Sequence, residues 1–419
     1  MKILLSVFQC NPLQGSDAFV GWSYVKSMAK YHEVYAFTRT QDKKDIETYC
    51  KNTNQSLDNV HFIYIDQSKF FTKVLYKLNR YLGYLGSYFV WQHSAYKVAK
   101  RLRKQIKFDI CHHVSIADFR CAGYLWKLDA PFIFGPVGGG QETPQCFSDY
   151  IKGHEKAENF RIFMNRITTA LPSYKKALHR AAVVYSSNDE TSACIKKRML
   201  KSDLGKLKQM TELCIDQSYL DAREDIKRTP KKTVHIIVSG RLIYRKGIRV
   251  LLESIPMIKS KNKFVVDIYG DGNQRESLEK YVKDNNLQNV VAFHGKIPFD
   301  EMQKVYRDAD IYVLPSLRET TGTAIFEAMA NKLPVVTFNQ NGAKYVVEND
   351  AGVLIDLESK TQVLEDLAKA LGELIDDPEC RVRYGECGFN KLKSHYTWDE
   401  RAKKMSKVYE NLLTKNNKP

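Results

Sequence analysis

The sequence predicts an α/β protein with two doubly wound parallel sheets. Short β-branched runs recur along the chain with segments of helical length between them, a pattern typical of parallel strands joined by crossover helices. The length of 419 residues fits two or three domains at roughly 150 residues each. Apolar residues make up 43% of the chain and charged residues 27%, which excludes a disordered or fibrous protein.

The predicted strands fall into two sets of about six. In the first half the β-branched runs lie at 2–8, 33–38, 61–65, 109–114, 131–134 and 181–186. In the second half they lie at 233–239, 264–269, 290–293, 311–314, 334–338 and 352–355. Each set is large enough for a sheet of its own, with ligands expected at the carboxyl ends of the strands.

A polar and basic segment, AREDIKRTPKKT at 222–233, separates the two sets. Its Pro230 precedes a new buried strand, so we expect a linker here. The linker divides the chain into domains at 1–220 and 221–394, which should face each other across a ligand cleft. The last segment, about 395–419, is amphipathic at helical spacing and is expected to pack back onto the first domain.

The sequence predicts a cytoplasmic location. No stretch reaches the roughly 18 uncharged apolar residues that a membrane-spanning helix needs, and the nearest candidate, 81–96, contains Gln92 and His93. The amino terminus has the pattern of a buried strand and not of a signal peptide. Nine scattered cysteines without a C-x-x-C pair suit reduced thiols and argue against disulfides or structural zinc.

The most informative motif is LPSLRETTGTAIFEAMA at 314–330. A buried strand ends at Leu314, a loop follows with Glu319, and a helix of small residues then carries Glu327. The unpaired N–H groups and the dipole of a helix amino terminus favour an anion such as a diphosphate. Glu327 stands among apolar residues and needs a partner, which the hydroxyls of a sugar or ribose would supply. A solvated Glu on an ordinary amphipathic helix is the alternative.

Two further turns follow buried strands in the second half. SGRLIYRKGI at 239–248 places Arg241 and Lys246 where they could reach a phosphate. YGDG at 269–272 has a glycine, Gly270, that permits close backbone approach. Arg275 stands where a dinucleotide fingerprint has its third glycine, and no P-loop motif is present, so hydride transfer and P-loop chemistry are not supported.

Together these motifs resemble glycosyltransferase family 4, whose members are retaining enzymes with the GT-B fold. The resemblance rests on Glu319 and Glu327 with seven residues between them, on GRLIYRKG and on the YGDG turn. In the first half, PLQGSDAFVGW, DICHHVSIADFR and FGPVGGGQE are similar to loops of that family. The family more often has an aromatic residue before the glycine that this chain has in Thr-Thr-Gly.

The resemblance implies a role for each matching residue. Arg241 and Lys246 would hold the diphosphate of a UDP-sugar or GDP-sugar donor, and Glu327 would bind the ribose. Glu319 would face the transferred sugar. Backbone amides of Thr321, Gly322 and Thr323 would cap the phosphates, and Gly15 and Gly270 would allow close approach of the backbone.

The resemblance also implies a histidine near the donor sugar, either His113, which is favoured, or His112. We expect one of the two to be a core residue and the other to be exposed, at a strand end facing the cleft. Asp308-Ala309-Asp310 imitates a metal-binding D-x-D but lies at a predicted helix end, where capping explains it better. No metal or other cofactor is expected, because cations and a helix dipole would stabilise the leaving diphosphate.

The charge of the chain is +17, and residues 69–107 contain ten Lys or Arg and no Asp or Glu. A basic, aromatic-rich amphipathic segment suits an anionic membrane surface. The alternative is a core-facing helix pair with a solvated basic side. Nucleic acid is a weaker alternative, because no recognition motif accompanies the charge.

The leading hypothesis is a hexosyltransferase that acts on a lipid-linked or saccharide acceptor in cell-surface polysaccharide or lipopolysaccharide biosynthesis, as a peripheral protein on the inner face of the cytoplasmic membrane. The acceptor would bind to the first domain and the donor to the second. The alternatives are another nucleotide-sugar enzyme of the same fold, such as an epimerase, and a non-catalytic protein that binds sugar nucleotides at a membrane.

Overall fold

The computed structural model describes residues 1–15, 17–53, 57–66, 77 and 80–416, and of 80–82, 415 and 416 only the backbone. The chain forms two compact units. The first contains residues 1–140, 160–214 and the C-terminal segment from Trp398, and the second contains 141–159 and 215–397.

The first unit is built on a parallel sheet of seven strands. The strands are β1 (Lys2–Val7), β2 (Glu33–Arg39), β3 (Val60–Ile65), β4 (Ile110–Ser115), β5 (Phe132–Val137), β6 (Ala181–Ser186) and β7 (Leu207–Gln209). The helices before β6 are α1 (Asp17–Met28), α2 (Lys43–Asn52), α3 (Arg80–Leu102), α4 (Glu155–Ala170) and α5 (Pro172–Arg180). Of α4, residues 160–170 belong to this unit and residues 155–159 to the second. Helix α6 (Asp189–Lys196) follows β6. The strand order is β3-β2-β1-β4-β5-β6-β7.

The predicted strands of this half are all present, and the sheet has one more. Strand β7 was missed because its sequence, LKQ, is short and half polar, and it lies at the edge of the sheet, where only β6 pairs with it. The central strands β1 and β4 are buried along almost their whole length. Strand β1 is accordingly a nearly continuous apolar run, whereas β4 also buries His112, His113 and Ser115.

The second unit is built on a parallel sheet of six strands. These are β8 (Thr233–Ser239), β9 (Lys263–Tyr269), β10 (Val291–Gly295), β11 (Ile311–Leu314), β12 (Val335–Phe338) and β13 (Gly352–Ile355). The helices up to β11 are α7 (Gln217–Asp221), α8 (Ile248–Ser254), α9 (Arg275–Asp284) and α10 (Phe299–Asp308). Those after β11 are α11 (Thr323–Ala330), α12 (Ala343–Val347), α13 (Lys360–Asp376) and α14 (Pro378–His395).

The strand order of this second sheet is β10-β9-β8-β11-β12-β13. All of its pairs are parallel. The two doubly wound parallel sheets predicted from the sequence are therefore confirmed.

The chain enters the second unit for the second time at Ile215, beside Thr397, where it leaves that unit. Ile215 and Thr397 form a parallel bridge, in which the Ile215 N–H donates to the Tyr396 carbonyl at 2.8 Å. The last helix, α15 (Trp398–Asn416), then packs on α1 in the first unit, where the Ser406 hydroxyl lies 2.8 Å from a ring nitrogen of His32.

The segment 222–233, predicted as a linker, packs on the second unit. The guanidinium of Arg228 donates hydrogen bonds to the carbonyls of Tyr306, Arg307 and Ala309 at 2.6–2.9 Å. These carbonyls end α10 and have no partner within the helix, so an arginine that satisfies them fixes the segment in place.

Residues 141–159 also pack with the second unit, although the sequence places them in the range predicted as the first domain. Phe147 is fully buried in the second core, and its ring stacks on Phe338 with 6.1 Å between centroids. The Tyr150 hydroxyl donates to the Glu253 carboxylate at 2.7 Å. Burial of these aromatic rings explains why a segment so distant in sequence joins this unit.

Among the residues that the structure describes, no helix is long and apolar enough to cross a membrane. The predicted basic segment 69–107 is described only in part, because residues 69–76, 78 and 79 lie outside the described ranges. Its C-terminal part forms most of α3, where Tyr88 and Trp91 are buried in the first core and Lys97 and Lys100 are exposed.

We predict that Phe147→Ala destabilises the second unit alone, by about 3–5 kcal/mol, because it leaves a cavity in that core. All four tryptophans, Trp22, Trp91, Trp126 and Trp398, belong to the first unit. In urea unfolding, the far-UV circular dichroism transition of the second unit should therefore move to lower urea while the tryptophan fluorescence transition stays in place.

Phe299→Ala is the matched control, because that ring lies in the same unit but is 58% exposed. It should move neither transition. An equal shift of the fluorescence transition in Phe147→Ala would contradict the assignment of this segment to the second unit.

Candidate functional site

The second sheet has its topological switch point between β8 and β11, the first and fourth strands of that unit in chain order. The two strands pair in parallel, with Ile311 opposite Ile236, so their carboxyl ends lie at the same edge. In open α/β sheets, ligands bind at this edge beside the switch point. The loops 240–247 and 315–322, which carry five of the eleven predicted site residues, both begin there.

The two loops are in direct backbone contact. Gly247 has a positive φ of 64°, and a Cβ at this position would lie 1.8 Å from the Pro315 carbonyl oxygen, so only glycine fits. The Leu317 N–H donates to the Arg245 carbonyl at 2.9 Å. Each loop therefore limits the position of the other.

This contact brings Lys246 and Glu319 together as an ion pair. Both side chains are only 18% exposed, so solvent screens the pair less than it would a pair on the open surface. Arg241 lies on the same loop as Lys246 and is exposed. The site thus has one cation held by a carboxylate and another that faces solvent.

Gly270 supports the loop after β8 from behind. Its φ is 136°, and a Cβ here would lie 1.8 Å from the Gly240 carbonyl oxygen. The close approach predicted for Gly270 is therefore made in this structure to the protein backbone.

Helix α11 begins at this edge with Gly322 as its N-cap. Gly322 has φ 102° and no side chain, so it offers no side-chain cap to the first N–H groups of the helix. Thr323, the first helical residue, is exposed, whereas Thr321 is buried beside Gly342. The arrangement suits binding of an anion at the helix amino terminus.

Glu327 has a partner that the sequence did not reveal. The Tyr306 hydroxyl, from α10, donates to the Glu327 carboxylate at 2.9 Å and lies 2.9 Å from the Ser239 hydroxyl at the end of β8. Burial raises the pKa of Glu327. Because a carboxylate can accept several hydrogen bonds, this contact holds the side chain without using its full accepting capacity.

Glu158, near the start of α4, is a second residue that sequence reasoning missed. Its buried carboxylate pairs with Arg318 and accepts a hydrogen bond from the Tyr244 hydroxyl. Tyr244 also stacks on the His154 ring, with centroids 4.4 Å apart. Arg318 precedes Glu319, and Tyr244 lies two residues before Lys246, so Glu158 joins the two loops a second time.

Asp310 of the Asp308-Ala309-Asp310 sequence does not cap a helix as expected, and instead joins two strands. The Asp310 carboxylate accepts from the His235 N–H at 2.9 Å and pairs with Lys231 at 3.3 Å, which ties the start of β11 to the start of β8. Among the residues that the structure describes, no three His, Cys, Asp or Glu side chains are grouped as metal ligands.

His112 and His113 lie within β4, the central strand of the first sheet, and not at its end. They point to opposite faces, as predicted, but the expectation that one is exposed is wrong, since helices cover both faces. A ring nitrogen of His112 lies 2.6 Å from the Tyr409 hydroxyl, and the other lies 2.6 Å from the Gly135 carbonyl oxygen. One ring nitrogen of His113 lies 3.1 Å from the Ile116 carbonyl oxygen.

Burial lowers the pKa of His112 to about 3 and that of His113 to about 4, so both rings are neutral at pH 7. The structure thus assigns each ring a packing and hydrogen-bonding position in the first unit, and their predicted catalytic role stays a prediction. Gly15, also in the first unit, lies in the exposed loop between β1 and α1, and a Cβ there would meet no atom within 4 Å.

The first unit also has a surface pocket of about 140 Å³. Arg120, Thr168 and Ser173 contribute polar groups to it, and Phe89, Tyr124 and Leu171 contribute apolar ones. This mixture of one cation, hydroxyls and aromatic rings is typical of a small-molecule site.

Residues 221–391 match the family of glycosyl transferases group 1. The matched segment contains both loops of the site and helix α11. An uncharacterized glycosyltransferase of Methanocaldococcus jannaschii is 28% identical over 175 residues, which are 42% of this chain and 44% of that protein. The chain therefore spans less than half the length of this relative.

Two solved structures are similar over nearly the whole chain. Sucrose-phosphate synthase from Thermosynechococcus elongatus has a TM-score of 0.63 at 18% identity, and the match covers 99% of each of the two chains. Alr3699/HepE of Anabaena, solved with UDP, has a TM-score of 0.61 at 14% identity and covers 98% of this chain and 100% of its own. At this identity the comparisons show the fold, and the predicted GT-B fold is confirmed.

We predict that Glu158→Ala weakens UDP binding about tenfold, which corresponds to about 1.4 kcal/mol, because the two loops lose a shared anchor. The measurement is isothermal titration calorimetry with UDP alongside thermal unfolding. Glu158→Gln can still accept a hydrogen bond from Tyr244 and should lose less affinity.

Glu253→Ala is the matched control. Glu253 also accepts from a tyrosine hydroxyl and pairs with Arg249 and Lys360, but it lies at the far end of α8 from the site. It should lower stability and leave UDP affinity unchanged. Equal losses of UDP affinity in the two alanine variants would show that Glu158 acts through stability and not by positioning the loops.

Proposed function

We propose that this chain is a retaining glycosyltransferase that moves a hexose from a UDP-sugar or GDP-sugar to a lipid-linked or saccharide acceptor. The observation that carries the proposal is the meeting of Lys246, Glu319 and the amino terminus of α11 at the switch point of the second sheet. It lies within the segment that matches glycosyl transferases group 1. The proposed place of the reaction is the assembly of cell-surface polysaccharide or lipopolysaccharide.

The donor diphosphate is proposed to bind between Arg241 and Lys246 on one side and the first N–H groups of α11 on the other. A phosphate that approaches Lys246 competes with Glu319 for the ammonium group. Binding would therefore release the Glu319 carboxylate, which can then accept hydrogen bonds from hydroxyls of the transferred sugar. The resting ion pair keeps both groups in place before the donor arrives.

Glu327 is proposed to bind the ribose. The Tyr306 hydroxyl holds one of its carboxylate oxygens, which orients the side chain while leaving capacity to accept from ribose hydroxyls. The glycine N-cap allows the phosphate to approach the backbone of α11 closely, and the exposed Thr323 hydroxyl lies beside it.

The reaction proposed is front-face substitution within the donor complex. The bond between the anomeric carbon and the diphosphate oxygen breaks, the acceptor hydroxyl oxygen forms the new bond on the same face, and its proton passes to the departing phosphate. Arg241, Lys246 and the α11 dipole stabilise the charge that develops on the diphosphate. No protein nucleophile and no metal ion take part in this scheme.

The acceptor is proposed to bind to the first unit, and the basic segment 69–107 is proposed to hold the protein at the cytoplasmic face of an anionic membrane. In the described part of this segment, Lys97, Lys100, Arg101, Lys104 and Lys107 are exposed. Each cation near an anionic surface adds attraction that salt screens.

We predict that Glu327→Ala reduces donor affinity about 10- to 150-fold and abolishes transfer, since it removes hydrogen bonds to a charged acceptor. The assay measures release of UDP or GDP from a panel of nucleotide-sugars, with thermal unfolding as the check on folding. Glu365→Ala, at an exposed glutamate of α13, is the control and should behave as wild type. A Glu327→Ala variant that retains transfer activity would contradict this assignment of the site.

We predict that chelation with EDTA leaves turnover unchanged. Two cationic side chains and a helix amino terminus supply the stabilisation that a divalent cation provides in metal-dependent transferases. The measurement is nucleotide release with EDTA present, followed by addition of Mn²⁺. Activity that EDTA abolishes and Mn²⁺ restores would contradict the proposed mechanism.

A further inference from the structure

Helix α4 has its polarity reversed from about Phe160 onward. The residues that it buries there are polar, namely Asn165, Thr168 and Thr169. The large residues that it exposes are apolar, with Phe163 56% and Ile167 44% exposed. An ordinary surface helix does the opposite and turns its apolar stripe to the core.

The apolar residues form one continuous face, which we name the α4 face and define as Phe160, Phe163, Ile167 and Leu171. The spacing of three and four residues places Phe160, Phe163 and Ile167 one above another along α4, and Leu171 directly follows the last residue of the helix. They are four of the eleven large apolar residues that are exposed within the described part of the chain. Such clustering marks an interaction surface, whereas scattered exposed apolar residues carry no such meaning.

Cations lie close to the α4 face in the chain. Residues 160–180 contain five Lys or Arg and no Asp or Glu. Of these, Arg166 on α4 and Lys175, Lys176 and Arg180 on α5 are exposed. An apolar helix face flanked by exposed cations is the arrangement with which an interfacial helix inserts into an anionic membrane surface.

We propose that the α4 face docks on an anionic lipid surface. A second copy of this chain is the less favourable occupant, because a two-fold dimer sets the same patch against itself and would bring Arg166, Lys175 and Lys176 of both copies together. Anionic head groups neutralise the same cations, while the acyl region takes up Phe163 and Ile167. Charge complementarity therefore selects the lipid.

The α4 face leads to the surface pocket of the first unit. Leu171 belongs to both, and Thr168 of α4 lines the pocket together with Arg120. A lipid-linked acceptor lying along the helix would thus have its polar end at the hydroxyls and the cation of this pocket. This last step rests on the proposed function, whereas membrane docking does not.

The α4 face differs from the basic segment 69–107 in one decisive respect. In the described part of that segment, Leu85, Tyr88 and Trp91 of α3 turn to the first core, which leaves its cations without an adjoining apolar anchor. The α4 face supplies apolar side chains and cations on the same exposed surface.

The test is co-sedimentation of the full chain with vesicles of phosphatidylcholine, with or without phosphatidylglycerol. We expect binding only to the anionic vesicles. The double substitution Phe163→Gln/Ile167→Gln should reduce that binding at least about tenfold, through loss of the apolar anchors. Leu200→Gln/Leu204→Gln, at two exposed leucines elsewhere in the first unit, is the matched control and should bind as wild type.

The charge contribution is tested separately. Lys175→Gln/Lys176→Gln should weaken binding to anionic vesicles more at low salt than at high salt. Lys196→Gln/Lys197→Gln, an exposed pair on and just after α6, is the control and should have no effect. The same assay with Lys97→Gln/Lys100→Gln measures how much the basic segment 69–107 contributes to vesicle binding.

Wild-type binding by Phe163→Gln/Ile167→Gln would overturn the proposal. The proposal would also be overturned if analytical ultracentrifugation showed a wild-type dimer that this double substitution dissociates. A lower melting temperature of the variant with unchanged vesicle binding would overturn it as well. Either result would assign the α4 face to a protein contact. UDP titration of the same variants separates the two proposals. Loss of vesicle binding with UDP binding retained would concern membrane docking alone. Vesicle binding without UDP binding would count against the donor site alone.

Discussion

The backbone contact between the loops that follow β8 and β11 is the constraint on which the site depends. Gly247 lies against the Pro315 carbonyl so closely that no side chain fits, and the contact sets the distance across which Lys246 reaches Glu319. A strand pair alone would position only the starts of the two loops. The contact extends that order to the residues that carry charge, which favours a preorganised site over one assembled by the ligand.

Long-range anchors reinforce the same two loops. Glu158 comes from a segment that precedes β8 by some 75 residues in the chain, yet its carboxylate joins Tyr244 and Arg318. Tyr306 holds Glu327 from another helix. Ion pairs of this kind leave an uncompensated buried charge when one partner is removed. The geometry of the two loops therefore depends on Glu158, a residue of the segment 141–159.

The sequence predicted the strands well because buried parallel strands are continuous apolar runs, and it predicted the loops because glycines, charges and a helix start mark them. It missed β7, whose three residues carry no apolar run. It also missed Glu158 and Tyr306, because their partners are 160 and 21 residues away and leave no local pattern. The histidines of β4 were placed wrongly with respect to exposure because alternation along a strand fixes which face a side chain joins and not whether a helix covers that face.

Exposed cations have different meanings at α3 and at α4. In α3 the apolar residues pack in the first core, so its exposed cations form a surface like that of any solvated helix. From Phe160 onward, α4 buries polar residues and exposes apolar ones. Exposing apolar side chains to water costs free energy, and a partner that covers them removes this cost. Net charge can steer a protein toward an anionic surface from a distance, but the contact itself needs apolar area that water does not favour. The reversed polarity of α4, and not the value of +17, is therefore the stronger argument for a lipid surface.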